Sequence, residues 1–181
     1  QLCKELQMIF QDPTASLNPR FRVFETLAEP FQIHTSLGKK EIQQEVDQLL
    51  QKVGLSTHFK FRYPHELSGG EKQRIGIARA LATKPRFILA DEPVSSLDVS
   101  VQAQILELLR TLKETEKLTM IFISHDLNVV RLLCNRIAVM YFGKIVELAP
   151  TEEIFTQPKH PYTKTLLAAT LSANPEKRQL R

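Results

Sequence analysis

Two cysteines, Cys3 and Cys134, are all that a chain of 181 residues contains. Their number and separation exclude a disulfide framework and a cysteine zinc site, and a reducing compartment is the better match. Both are expected to be ordinary packing residues. No apolar run reaches the roughly 18–20 residues of a spanning helix, and the first residues show no charged-then-apolar signal pattern. If a membrane matters to function, another chain crosses it. Basic residues outnumber acidic ones by only four, 24 against 20, and they are spread along the sequence. Charge therefore selects neither nucleic acid nor an anionic surface. Internal repeats and low-complexity tracts are also lacking.

What is present is the balance of an ordinary globular protein, with 43% apolar and 24% charged residues. The run Leu6 to Phe10 (LQMIF) reads as a buried strand, and because it lies so close to Gln1 a preceding segment is expected. Gln11 to Arg20 is rich in turn formers and is expected to be a loop, with Pro13 and Pro19 disfavouring helix in the residue before each. Apolar residues at helical spacing, Ile42, Val46, Leu49, Leu50 and Val53, predict a helix from Lys39 to Val53 that Gly54 stops. Ser68 followed three residues on by Glu71 is a capping box that starts a helix running to about Ala82.

The second half alternates strand and helix. Arg86 to Ala90 (RFILA) predicts a strand buried on both faces and ending in two acids. Ser100 is the expected cap of a long helix with Val101, Ile105, Leu108, Leu109 and Leu112 on one face. The strand Thr119 to Ile123 follows, so strand, helix and strand make a parallel crossover unit. A helix after His125, a strand from Arg136 to Tyr141 and a tight hairpin at Gly143 into Lys144 to Leu148 come next. From Thr151 the chain reads as helical and peripheral. The fold class is α/β, with a mostly helical insertion between Gln11 and Lys84.

Open parallel sheets bind ligands beyond the carboxyl ends of their strands, where Asp91 and Glu92 fall. An apolar strand ending in Asp is a way to hold magnesium, and a second acid beside it can polarise an attacking water. Asp91 is therefore read as a metal ligand and Glu92 as a base. Capping of the following loop is the plainer use of such a pair, and their spacing alone does not choose between the two. His125 ends the next strand within Ile123-Ser124-His125-Asp126, where it could reach a phosphate or serve structure. Leu67 to Glu71 (LSGGE) opens a helix on two glycines, leaving bare backbone N–H groups for an anion.

Taken together, Phe10-Gln11-Asp12-Pro13, LSGGEKQR (Leu67 to Arg74), FILADEP (Phe87 to Pro93), Ser96-Leu97-Asp98 and Ile123-Ser124-His125-Asp126 resemble the nucleotide-binding subunits of ABC transporters, in the same order. The resemblance covers nearly the whole chain. It implies a P-loop NTPase-type ABC ATPase fold: a parallel-sheet catalytic core (residues 1–11 and 85–150), an inserted helical subdomain (12–84) and a C-terminal helical extension (151–181). Leu17-Asn18-Pro19-Arg20, Tyr63-Pro64-His65, Leu97-Asp98-Val99-Ser100 and His160-Pro161-Tyr162-Thr163 look like the oligopeptide, dipeptide and nickel importer branch. Ser96 and Glu71-Lys72 depart from the residues usual in that branch without changing a role.

The resemblance also implies roles and partners. Gln11 would lie near the metal and the attacking water, Asp91 would hold Mg2+, and Glu92 would be the general base. His125 would contact the γ-phosphate of ATP, and Asp98 would link two sites. Ser68, Gly69, Gly70 and Glu71 would form the signature that meets ATP held by a second ATPase subunit. Two permease chains and an external solute-binding protein would complete the importer at the cytoplasmic face of the membrane, and no nucleic acid is expected. A G-x-x-x-x-G-K-[ST] loop, which would grip the β and γ phosphates, does not occur, and family order places it upstream of Gln1. The chain is accordingly expected to be a truncated ABC ATPase domain, marginally stable and poorly hydrolytic alone. A non-transport ABC ATPase, such as a DNA-repair, translation or phosphonate-degradation factor, and a catalytically silent partner subunit are the alternatives.

Overall fold

The computed structural model describes residues 2–172, with side chains from Lys4 to Ala169. The side chain of Cys3 and the end of the expected C-terminal extension lie outside the described residues. The chain forms two compact units, residues 1–123 and 124–181.

In the first unit, α1 (Leu2–Glu5) leads into β1 (Leu6–Ile9). Three helices follow, α2 (Val23–His34), α3 (Lys39–Lys52) and α4 (Gly69–Leu81), before β2 (Phe87–Asp91), α5 (Val99–Thr115) and β3 (Thr119–Ile123). The sheet order is β1-β2-β3, and both pairings are parallel, with Leu6 beside Phe87 and Phe87 beside Thr119. The helical segment between β1 and β2 thus returns the chain to the centre of the sheet, with β2 between β1 at one edge and β3 at the other.

Local chemistry explains most boundaries. Glu71 Oε2 accepts the Ser68 N–H at 2.7 Å and Ser68 Oγ accepts the Glu71 N–H at 3.3 Å, so the capping box starts α4 where the sequence predicts it. Gly54, at φ +71°, supplies the left-handed turn after α3. At the start of α2, Glu25 reaches back to the Arg22 N–H at 2.7 Å. The apolar faces of these helices meet one another: Val23, Leu27 and Phe31, Val46 and Leu50, and Ile75 and Ile77 are all buried.

Four expectations need correction. The strand at Leu6 ends at Ile9, not Phe10, and β2 runs from Phe87 through Asp91 rather than from Arg86 to Ala90. Nor is β2 buried on both faces. Ile88 and Ala90 are 1% and 0% exposed, whereas Phe87, Leu89 and Asp91 are half-buried. The face that carries them also carries Leu6, Ile121 and Ile123, which are 43%, 51% and 44% exposed. The opposite face is closed by α4, which packs against β1. Finally, the cap of α5 is Asp98, whose Oδ1 accepts the Val101 N–H at 3.0 Å, while the Ser100 hydroxyl donates to the same carboxylate. An ionised carboxylate accepts both bonds, so the acid takes the cap and the serine supports it.

The second unit contains α6 (Leu127–Leu133), β4 (Arg136–Tyr141), β5 (Lys144–Pro150), α7 (Thr151–Thr156) and α8 (Pro161–Ser172). β4 and β5 form the expected antiparallel hairpin, with β5 two residues longer than the sequence implied. Phe142 and Gly143 both have positive φ, 45° and 75°, the conformation of a two-residue type I′ turn. Glu147 of β5 accepts the N–H groups of Lys159 and His160 at 2.8 and 3.0 Å. The Tyr141 ring lies 4.3 Å from that of Tyr162. The His160-Pro161-Tyr162-Thr163 segment is thereby fastened to the hairpin at the start of α8.

Candidate functional site

At the carboxyl end of β2, Asp91 occupies the last strand position, in register with Ile123. Glu92 continues the ladder by donating its N–H to the Ile123 carbonyl at 3.1 Å, but its φ of 42° places it in the left-handed region. The strand therefore stops here and the side chain leaves the sheet. Ser95 fixes the turn, donating its N–H and its hydroxyl to the Glu92 carbonyl at 3.2 and 3.1 Å. Such a backbone conformation costs free energy in a glutamate and is held by its surroundings.

Gln11 lies two residues beyond β1. Its Nε2 donates to Glu92 Oε2 at 3.0 Å. The structure thus brings Gln11, Asp91 and Glu92 to one end of the parallel sheet, where such sheets bind ligands. Asp12 organises the loop that follows, its Oδ1 accepting the N–H groups of Thr14 and Ala15 at 2.8 and 3.2 Å.

Ser68, Gly69 and Gly70 form the first turn of α4, with Ser68 and Gly69 exposed and Gly70 half-buried. Glu71 is occupied by the capping box. Asp98 lies in the turn before α5, and an ideal Cβ on Gly69 would meet Leu97 Cδ2 at 3.3 Å, so signature and Asp98 turn are neighbours. The bond from the Val101 N–H, then that from Ser100, holds the Asp98 carboxyl below its ordinary pKa. His125 belongs to the second unit, exposed, one residue before the α6 cap Asp126.

Sequence reasoning did not assign two residues that join α4 to the loop after β1. Arg79 Nη1 donates to the Ser16 carbonyl at 2.7 Å, and Lys72 Nζ reaches Thr14 Oγ1 at 3.4 Å. Desolvation lowers the pKa of Arg79, which marks a guanidinium drawn into the protein. A basic residue in mid-helix is the only sequence signal, and it does not name a carbonyl 63 residues away.

The ABC transporter family pattern matches residues 1–95, more than half of the chain. This chain belongs to the ABC transporter family. Residues 146–181 match the C-terminal region of oligopeptide/dipeptide transporters, the stretch that contains Glu147 and His160-Pro161-Tyr162-Thr163. The oligopeptide transport ATP-binding protein OppF of Bacillus subtilis (strain 168) is 55% identical over 174 residues, 96% of this chain and 57% of that protein. The dipeptide transport ATP-binding protein DppF of Lactococcus lactis subsp. cremoris (strain MG1363) is 51% identical over 172 residues, 94% of this chain and 55% of that protein. The chain spans about half the length of the curated relatives it matches.

Solved structures agree. The dimeric post-hydrolysis state of the ATP-binding cassette MJ0796 bound to ADP and Pi matches with a TM-score of 0.71 at 30% identity, covering 81% of this chain and 63% of that one. CbiO1 from Clostridium perfringens, part of the ABC transporter complex cbiONQ, matches with a TM-score of 0.78 at 27% identity, covering 98% of this chain and 67% of that one. The ABC ATPase fold and the likeness to the oligopeptide/dipeptide transporter branch expected from the motifs are both borne out. Among the described residues no helix is long and apolar enough to cross a membrane.

Proposed function

We propose that the chain is the signature-bearing part of an ATP-hydrolysing subunit that powers an ABC importer of oligopeptides or dipeptides. The observation that carries this reading is the 3.0 Å bond between Gln11 and Glu92 at the carboxyl end of the sheet, one residue from Asp91. It gathers an amide and two acids where a terminal phosphate and its attacking water would lie. In this reading Glu92 accepts the proton of the water, and Gln11 orients the Glu92 carboxylate through Nε2 while its Oε1 would be a ligand for the metal.

The donor set fits magnesium. Among the described residues no three His, Cys, Asp or Glu side chains cluster as a metal site. One carboxylate from Asp91 and one amide oxygen from Gln11 suit a cation that keeps most of its shell as water and phosphate oxygen. When bound, Mg2+ would neutralise charge on the β and γ phosphates.

The remaining residues serve a paired site. The Ser68 hydroxyl and the N–H groups of Gly69 and Gly70 would meet a γ-phosphate held by a second ATPase subunit, at a helix start that favours anions. His125 would contact the γ-phosphate of ATP, and Asp98 would link the paired sites. The dimeric state of the MJ0796 cassette and the names of the relatives support a pair beneath two permease chains, peripheral to the cytoplasmic face of the membrane, with an external solute-binding protein. The match of residues 146–181 supports peptides as cargo.

The deciding experiment is Glu92→Gln in the subunit assembled with its partners. Phosphate release should fall about 100-fold or more while MgATP binding persists, because only proton transfer is lost. Unchanged turnover would refute the reading.

A further inference from the structure

We propose that Val101 is a positioning residue that locks the first turn of α4 to the Asp98 turn, and that position 70 is glycine because α5 packs onto it. The proposal rests on the ATPase reading above and gives the signature a mechanical connection that reading lacks.

A Cβ placed on Gly70 would come within 2.5 Å of Val101 Cγ1. Real carbon atoms do not approach so closely, so the Val101 side chain would have to leave its rotamer or α4 and α5 would have to part. The glycines of α4 differ in this respect, since a Cβ on Gly76 would meet nothing within 4 Å. The space beside Gly70 is filled by one named methyl group, not left open for a ligand.

Val101 also holds Asp98. Its side chain lies against Gly70 while its N–H donates to Asp98 Oδ1 at 3.0 Å. Around it, Leu97 abuts Gly69, and Gln102 Nε2 donates to the carbonyls of Val94 and Leu97, both at 3.0 Å. The turn from Val94 to Asp98 and the start of α4 are therefore clamped to the first turn of α5. A displacement of Asp98 carries the N–H groups of Ser68 to Gly70 with it.

The alternative is that Gly70 is needed only to let a phosphate reach bare backbone. The two accounts differ in what a second substitution does. Val101→Ala removes both γ-methyls and leaves its Cβ at 3.8 Å from the new side chain, an ordinary contact. Gly70→Ala alone should lower the melting midpoint by about 3–10 °C. It should also speed hydrogen exchange at the amide of residue 101 by about tenfold. Gly70→Ala/Val101→Ala should return both to the values of Val101→Ala alone. A double variant as impaired as Gly70→Ala, or a Gly70→Ala protein that melts like the wild type, overturns the packing claim.

The coupling claim is read by MgATP-dependent pairing of the intact protein. Val101→Ala should weaken pairing at least about threefold with nucleotide binding per subunit unchanged, and Val101→Ile, which keeps the contacting methyl, should restore it. Wild-type pairing in Val101→Ala overturns the coupling. A wild-type protein that binds MgATP without pairing refutes the paired-site reading instead, while melting and exchange still decide the packing.

Discussion

Gln11 Nε2 and Glu92 Oε2 are 3.0 Å apart although 81 residues separate them in sequence. The bond ties the loop leaving β1 to the turn leaving β2, so the amide and the acid share one geometry. Gln11→Leu should remove that restraint while keeping Glu92, the proposed base. Turnover in the assembled subunit is expected to fall about 10-fold or more, less than in Glu92→Gln, with the MgATP affinity also reduced. Equal rates for Gln11→Leu and wild type would leave the bond without a catalytic use.

The Asp98 cap sets a pH dependence. Its folded pKa is depressed by the Val101 and Ser100 hydrogen bonds. The stability it contributes is present above the ordinary carboxylate value of about 3.9 and disappears as pH falls through the lower folded value. Asp98→Asn keeps an oxygen acceptor that does not titrate. Denaturation at pH 7 and near pH 3 should show wild type ahead of Asp98→Asn at neutral pH and the gap closing in acid. A gap that widens in acid contradicts the assignment.

Ile105 is fully buried on the inner face of α5. Truncation to Ala removes three carbons from a closed site and should cost about 2–5 kcal/mol in equilibrium unfolding, with the lower values if α4 and α5 can close on the space. A loss below about 1 kcal/mol would mean that α5 is not packed as described.

The bond from Arg79 to the Ser16 carbonyl makes the loop after β1 dependent on α4. Arg79→Ala should destabilise the protein by about 1.5–3 kcal/mol, the range for hydrogen bonds to charged groups. Limited proteolysis should then cut within residues 12–20 sooner than in wild type. Unaltered cleavage there would show that the loop holds its shape without α4.

Glu147 should be the fastener of the second unit. Glu147→Ala removes the acceptor for the Lys159 and His160 N–H groups, so exchange at those two amides should accelerate while the β4 and β5 amides keep their protection. Loss of protection throughout the hairpin would assign Glu147 to the sheet instead.

What could be read from the sequence was whatever short-range chemistry dictates. Ser68 and Glu71 stand three residues apart and their mutual bonds start α4, and Gly143 turns the hairpin it was expected to turn. The α5 cap falls two residues before the expected Ser100 because Asp98 and Ser100 are both good caps, and only the Val101 N–H chooses between them. Nothing in the sequence marks the bounds of α2, since Arg22 is not a cap-forming residue and Pro30 lies inside the helix. The alternation of buried and half-open positions in β2 was hidden by an unbroken apolar run. At the candidate site, residue types were legible but contacts were not: no spacing reveals that Gln11 meets Glu92 or that Val101 fills the space beside Gly70.

The left-handed backbone at Glu92 sets chemistry and durability against each other. A residue type at ease in that conformation, such as asparagine, would relax the turn and remove the proposed base in a single replacement. Variants selected only for heat resistance would therefore drift toward silence at this position. A thermostable homologue engineered without an activity screen should be checked there first.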